Sequence, residues 1–183
     1  THAAGAVALA GELGFDPFRA AAGVAAFTGT GRRFEHRGVA KGVSFIDDYA
    51  HHPTEVAATL AAASGWEGGR VVAVFQPHLY SRTQRLADRF GAALAVADVV
   101  VVTDVFAARE DPIEGVDGTL ISAAARRHGA TDVVDAPDRS TLVEVVAALI
   151  RPGDLVLTMG AGDVTAVAEE LGAVLPGAVI ETP

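Results

Sequence analysis

Alanine-rich apolar positions open the chain. Ala3 to Leu13 reads as a helical run that Gly14 stops. Phe15-Asp16-Pro17 then reads as a second helix start, with Asp16 as N-cap, Pro17 in the first helical position and Arg19 to Phe27 continuing it. Gly29, Gly31 and Gly38 are expected to break regular structure afterwards. From Val39 the pattern changes, and short apolar runs alternate with amphipathic stretches of helical length. The predicted strands are Val43 to Ile46, Val71 to Phe75, Val99 to Thr103, Asp132 to Val134 and Leu155 to Thr158. The predicted helices that follow them are Thr54 to Ala63, Arg82 to Ala95, Thr119 to His128, Thr141 to Ile150 and Val164 to Leu171. Val174 to Ile180 is expected to add an edge strand.

Strand and helix thus alternate five times, and the strands are short continuous runs dominated by Val, Leu, Ile and Phe, as expected when both faces of a sheet are covered. The predicted fold class is α/β: a Rossmann-like, open, mostly parallel sheet with helices on both faces, preceded by a short helical segment. Two helices this short cannot bury their own apolar face alone, so that segment is expected to need a partner surface. In open parallel sheets, ligands bind beyond the carboxyl ends of the strands, and chemistry is sought in the strand-to-helix loops.

Composition narrows the classes of function. Of 183 residues, half are apolar and a fifth charged, which argues for a packed domain and against disorder. The net charge of −9 is the wrong sign for a general nucleic-acid binder. No run approaches the roughly 18 apolar residues of a membrane span. With no cysteine, a disulfide framework, a thiolate nucleophile and a Cys-ligated zinc site are all excluded. No signal peptide is visible, and a cytoplasmic location is expected. The chain begins with Thr1 and its single methionine is Met159, so it is expected to be part of something longer.

Two loops concentrate functional side chains. The first predicted strand runs into Asp47-Asp48-Tyr49-Ala50-His51-His52-Pro53-Thr54-Glu55, with Pro53 and Glu55 in the first turn of the next helix. Two acids, a phenol and two imidazoles in one turn are dense for a plain connector, although a capped turn with solvated acids would also read this way. The second strand runs into Gln76-Pro77-His78-Leu79-Tyr80-Ser81-Arg82-Thr83-Gln84. Ser81 and Gln84 form a capping-box pattern, which puts Arg82 in the first helical turn. A cation there opposes the helix dipole at a cost of about 0.3–1 kcal/mol, which a bound carboxylate or phosphate would reverse. Snorkelling to solvent, or pairing with a nearby acid, is the competing reading.

Other stretches say less. The long connection through Phe106, Arg109, Glu110 and Pro112 has the length of a functional loop, but spacing gives Arg109 and Glu110 no role. Gly160-Ala161-Gly162 would let a backbone or phosphate approach, while Asp163 reads as an N-cap and would repel a phosphate. Arg32 and Arg33, at the junction of the two parts, would serve as an anion clamp or as a salt-bridged hinge. His51 and Glu55 are four apart, as metal ligands of a hydrolase on one helix would be, but Pro53 puts His51 ahead of the helix.

Five motifs carry a resemblance: GRRFE (Gly31 to Glu35), DDYAHHPTE (Asp47 to Glu55), FQPHLYSRT (Phe75 to Thr83), AREDPI (Ala108 to Ile113) and MGAGDV (Met159 to Val164). In order and spacing the chain resembles the Mur ligase family, and within it the branch that adds L-alanine to UDP-N-acetylmuramate in peptidoglycan biosynthesis. The resemblance implies three domains in the whole enzyme. Residues 1–36 would be a C-terminal remnant of the central ATP-binding domain, and residues 37–183 the Rossmann-like C-terminal domain. No GxxxxGK[ST] occurs in the sequence, so the P-loop, the main Mg²⁺ ligands and the UDP-sugar pocket are expected elsewhere, and the chain alone is expected not to form the amide.

The implied reaction is ATP-dependent: an acyl phosphate forms on the muramate carboxylate, the L-alanine amine attacks it, and a tetrahedral intermediate collapses to amide, ADP and phosphate. By the same resemblance Arg33, Asp47 and Tyr49 would bind ATP, with Asp47 near the ribose. His51, His78 and Arg82 would line the amino-acid site, with Arg82 on the substrate carboxylate. His51 and His78 are the catalytic candidates, as hydrogen-bonding groups with no general base assigned. No metal ligand is expected in this chain. Leu79 stands where some relatives carry an additional arginine, and the segment around His2 lacks an asparagine common in the family. A murein peptide ligase of cell-wall recycling and a non-catalytic nucleotide-binding module are the alternatives, and the tyrosine and glutamate of DDYAHHPTE favour the alanine-adding branch over the first.

Overall fold

The computed structural model describes residues 2–27 and 30–174. The edge strand expected over Val174 to Ile180 lies, apart from Val174, outside them. Contacts divide the chain into two units, Thr1–Gly31 and Arg32–Pro183. The division falls ahead of the sequence-drawn boundary at 36/37, because Arg32 and Glu35 are hydrogen-bonded to each other and Arg32 is bonded onward to Asp47.

The first unit is a helix pair, α1 (His2–Glu12) and α2 (Pro17–Ala25). The carboxylate of Asp16 accepts the Phe18 N–H at 2.9 Å and Pro17 begins α2, as the capping pattern predicts. Gly14 turns the chain between the helices with φ 83°. Leu9, Leu13, Phe15 and Phe18 remain exposed, so two short helices leave apolar surface uncovered, as expected.

The second unit is a six-stranded sheet of β1 (Glu35–Ala40), β2 (Val43–Asp48), β3 (Val71–Phe75), β4 (Val99–Thr103), β5 (Val133–Ala136) and β6 (Leu155–Met159). The strand order is β1-β2-β6-β3-β4-β5, antiparallel at β1–β2 and parallel elsewhere. The helices are α3 (Pro53–Ala63), α4 (Tyr80–Leu94), α5 (Thr119–Arg127), α6 (Leu142–Leu149) and α7 (Val167–Val174), the last entered through a 3-10 turn at Asp163–Ala166.

Strand β1 corrects the sequence reading. Glu-His-Arg-Gly-Val-Ala carries no apolar run, and Gly38 was expected to interrupt regular structure. Instead the register against β2 shifts between His36 and Gly38, and Gly38 sits in the strand at φ 126°, a bulge conformation that few side chains tolerate.

The buried runs have the anticipated cause. Successive strand residues point to opposite faces. Ala73, Phe75, Val100, Val102 and Leu157 pack under one helical layer with Val56, Leu60, Phe90, Leu94 and Ile121 from α3, α4 and α5. Val72, Val74, Val99, Val101 and Val156 pack on the other side with Leu142, Val146, Val167 and Leu171 from α6 and α7.

Helix α4, which carries Arg82, is set against α5 at Gly91. A Cβ there would run into the Ala124 methyl and the Ala124–Ala125 backbone. In an open helix Gly→Ala gains about 1 kcal/mol, but overpacking a tight contact costs about 1–3 kcal/mol. The clash at Gly91 involves backbone that cannot easily give way, so Gly91→Ala is expected to be net destabilising by up to about 2 kcal/mol, seen as a lower urea midpoint with an unchanged slope. An equal or higher midpoint would refute the close approach.

Candidate functional site

Strand β2 ends in two buried acids with internal work. The Asp47 side chain has no solvent exposure. Its carboxylate accepts Arg32 Nε at 2.9 Å, Thr158 Oγ1 at 2.7 Å and Thr165 Oγ1 at 2.9 Å. Asp47 therefore lies behind the rim of the sheet, and it is Arg32 that it presents. The Asp48 carboxylate accepts the N–H groups of Phe34 and Ala50, each at 2.8 Å, and so fixes the turns on either side of it.

Arg32 has a left-handed backbone, φ 56°, and its carbonyl accepts the Tyr49 N–H at 2.8 Å. Its guanidinium also donates to the Gly160 carbonyl at 2.7 Å. The Arg32 and Arg33 guanidiniums lie over the Tyr49 ring, 5.0 and 5.5 Å from its centroid. Arg33 is half exposed, with Glu55 3.7 Å away. A phenol ring with two cations beside it suits a flat, anionic ligand such as a nucleotide.

Beyond Tyr49 the two loops meet. The His51 ring lies edge-on to Tyr49 at 5.0 Å, and the His78 ring lies 5.8 Å from His51. His51 Nδ1 is 2.8 Å from the Tyr49 carbonyl, which only accepts, so Nδ1 carries the hydrogen. In the neutral ring the Nε2 lone pair is then left free. Glu55 supports this ring: its carboxylate accepts the His51 backbone N–H at 3.0 Å and lies 3.5 Å from Nδ1. Burial pushes the Glu55 carboxyl up, but the His51 N–H and the His51 and Arg33 charges outweigh it and hold the pKa below the usual value.

Arg82 Nη1 donates to the His51 carbonyl at 3.2 Å and to His78 Nδ1 at 3.4 Å. A guanidinium only donates, so Nδ1 of His78 accepts and Nε2 bears the hydrogen in the neutral ring. The two imidazoles therefore hold opposite tautomers, a lone pair on one and an N–H on the other. Among the described residues Arg82 is hydrogen-bonded to no carboxylate. Of the readings open at the sequence level, pairing with a nearby acid is not seen among the described residues, and the part-buried guanidinium is left to solvent or to an anion.

The helix start differs from expectation. Helix α4 begins at Tyr80, and Ser81 is not its cap. The preceding residue is Leu79, with φ 72° and no side-chain cap bond. The cap comes from a distant loop: Glu110 accepts the Ser81 N–H at 2.9 Å and its hydroxyl at 2.5 Å. These bonds hold the Glu110 carboxyl below its ordinary pKa. The backbone N–H groups thought open to a ligand here are partly taken by an internal carboxylate, which leaves the anion to the guanidinium.

The glycine motif also proves to be packing. A Cβ on Gly160 would meet the Gln76 carbonyl, and one on Gly162 would meet the Gln76 amide and the Phe106 ring. Asp163 is not an N-cap: it accepts Gln76 Nε2 at 2.7 Å, and Gly162 precedes the 3-10 turn. Arg109 is exposed. Sequence reading missed the work of Arg32, Gln76 and Glu110. AREDPI marked the place of Glu110, but no local spacing connects it to Ser81.

Residues 32–162 match the family model for the Mur ligase, glutamate ligase domain. A UDP-N-acetylmuramate–L-alanine ligase of Thermobifida fusca is 53% identical over 173 residues, 90% of this chain and 36% of the relative. The structure of a UDP-N-acetylmuramate–alanine ligase from Thermotoga maritima superposes with a TM-score of 0.70 at 27% identity, over 90% of this chain and 34% of that one. A murein peptide ligase from Psychrobacter arcticus gives 0.72 at 22% identity, over 94% of this chain and 36% of that one, a likeness of fold. The chain thus spans about a third of the length of these relatives.

Two expectations follow from the geometry. Burial, then the charges of Arg82 and His51, hold His78 below the ordinary histidine pKa against an opposing pull from Glu110. The folded value is the lower one, so below about pH 6.5 the unfolded chain takes up a proton that the folded chain resists. This contribution to stability is full above that pH and is lost as pH falls through the window. NMR titration should give His78 a midpoint below 6.5, and His78→Gln should flatten the acid-side loss; a midpoint above 6.5 would contradict the environment described. Separately, Arg32→Ala strands the buried Asp47 charge and should cost about 3 kcal/mol or more in urea unfolding. Arg33→Ala, in an exposed pair, should cost under about 0.5 kcal/mol. Equal costs would remove the distinction between the two arginines.

Proposed function

The chain belongs to the Mur ligase family, and from that membership and the site above we propose that it is the amino-acid-side domain of an ATP-dependent ligase joining L-alanine to UDP-N-acetylmuramate. One observation carries the reading. Tyr49, His51, His78 and Arg82 form a continuous row, with ring centroids 5.0 and 5.8 Å apart, that ends in a guanidinium without a carboxylate partner among the described residues.

The row divides into two ends. Tyr49, with Arg33 and Arg32 over its ring, takes the nucleotide; Asp47 acts on that end through Arg32 and not by touching the ribose. Arg82 takes the substrate carboxylate. His51 and His78 bracket the amine between them: the Nε2 lone pair of His51 accepts from the ammonium group, and the Nε2–H of His78 donates to an oxygen of substrate or intermediate. Once the ammonium group has given up a proton to solvent, the neutral amine attacks the carbonyl carbon of the muramate acyl phosphate; the tetrahedral intermediate loses a second proton to solvent and expels phosphate, leaving the amide. Charge is high at every stage, so orientation and fixed dipoles supply most of what this domain contributes.

Triphosphate handling and Mg²⁺ are assigned to other parts of a longer ligase. GxxxxGK[ST] does not occur in the sequence, and among the described residues no three His, Asp or Glu side chains gather to hold a metal. Residues 1–36 are read as the end of the central domain and 37–183 as the C-terminal domain. A place in the cytoplasm, in peptidoglycan synthesis, goes with the proposal; no helix among the described residues is long and apolar enough to cross a membrane.

Arg82→Ala in the full-length ligase is the decisive substitution. It should raise the KM for L-alanine by about tenfold or more and leave the KM for ATP within about twofold. An unchanged alanine KM would remove Arg82 from its role. A full-length enzyme that ligates a tripeptide and not L-alanine would move the function to the recycling branch.

A further inference from the structure

Residues 77–81, which set both His78 and Arg82, are held from one side by residues 106–110 of the long β4–α5 connection. The Phe106 N–H donates to the Pro77 carbonyl at 2.8 Å, and the Leu79 N–H donates to the Phe106 carbonyl at 3.0 Å. This is a one-residue parallel bridge between His78 and Phe106. The His78 ring stacks on the Phe106 ring at 5.9 Å and 15°. At the far end Glu110 closes the arrangement with both carboxylate oxygens on Ser81, the residue before Arg82. A tight turn holds the loop in shape, with the Glu110 N–H on the Ala107 carbonyl and Ala108 at φ 54°.

The need for an outside fastening is local. Leu79 is a non-glycine residue at φ 72°, a conformation that costs of order 1–3 kcal/mol unless its surroundings enforce it. Its N–H is taken by Phe106, and its carbonyl by the Thr83 N–H and hydroxyl. No side chain next to it in sequence caps α4. Without Glu110, the first turn of α4 would lose both bonds to its second residue, and the strained entry could relax.

We propose that Glu110 is a positioning residue for the amino-acid side of the site: its carboxylate locks the first turn of α4 so that the Arg82 guanidinium and the His78 ring face the same substrate. This rests on the substrate reading above and extends it to a residue outside the two motif loops. Glu110 does not touch substrate; it acts through Ser81.

The test uses Glu110→Ala, Glu110→Gln and Glu110→Asp in the full-length ligase, with Arg82→Ala alongside. Glu110→Ala should raise the L-alanine KM by about tenfold with the ATP KM within about twofold. Glu110→Gln, which keeps one acceptor, should fall between, and Glu110→Asp should recover part of the loss. Hydrogen exchange over residues 80–83 should be faster in Glu110→Ala. If Glu110→Ala does not fold, Glu110→Gln carries the comparison. Equal rises in both KM values with a lowered melting temperature would mean a general structural role and overturn the proposal, as would an unmoved alanine KM. If Arg82→Ala raises the alanine KM and the Glu110 variants do not, this inference alone fails. If Arg82→Ala is also silent, the substrate reading fails and takes this inference with it.

Discussion

The rim of this sheet depends on a carboxylate that solvent never reaches. Asp47 is fully buried, and a buried anion is tolerable only when paired and hydrogen-bonded. Its partners come from three places in the chain: Arg32 before β1, Thr158 in β6 and Thr165 in the turn after β6. Meeting the demands of that one charge therefore ties the entry of the domain to its last strand. It also fixes the Arg32 carbonyl that holds Tyr49, and the guanidinium that reaches Gly160.

Topology sets the second constraint. Strand β6 lies between β2 and β3, so the loops carrying His51 and His78 leave the sheet about 10 Å apart. Between them runs the loop that follows β6. Its glycines let Gln76 and Phe106 pack where a side chain would stand. Across it the two imidazoles approach to 5.8 Å. Gly160 and Gly162 serve the site from beneath, by removing bulk.

Much of this was legible in the residues. Short runs dominated by Val, Leu, Ile and Phe gave β2, β3, β4 and β6, because both faces of each strand are covered. Asp16-Pro17 gave the start of α2, a purely local hydrogen bond. The rim position of Tyr49, His51, His78 and Arg82 followed from the rule that ligands sit beyond strand carboxyl ends. What stayed hidden was non-local. Strand β1 has no apolar run, since it is an edge with a bulge. Ser81 looked like a cap because Gln84 follows three residues later, but a carboxylate 29 residues away took the bonds first. Asp47 and Arg32 could not be paired from spacing, because only the fold brings positions 15 residues apart across the β1–β2 hairpin into register.

The bulged first strand has a consequence for how the domain keeps to itself. An open sheet ends in two rows of unpaired backbone groups that invite another chain to add on. Among the described residues one margin is β1, kinked at Gly38 and bearing Glu35, His36 and Arg37. The opposite margin is β5, four residues long, with Asp135 engaged by Arg126. Charge, kink and brevity are the devices that discourage strand addition, so a crowded solution of such domains is guarded against edge-to-edge polymerisation.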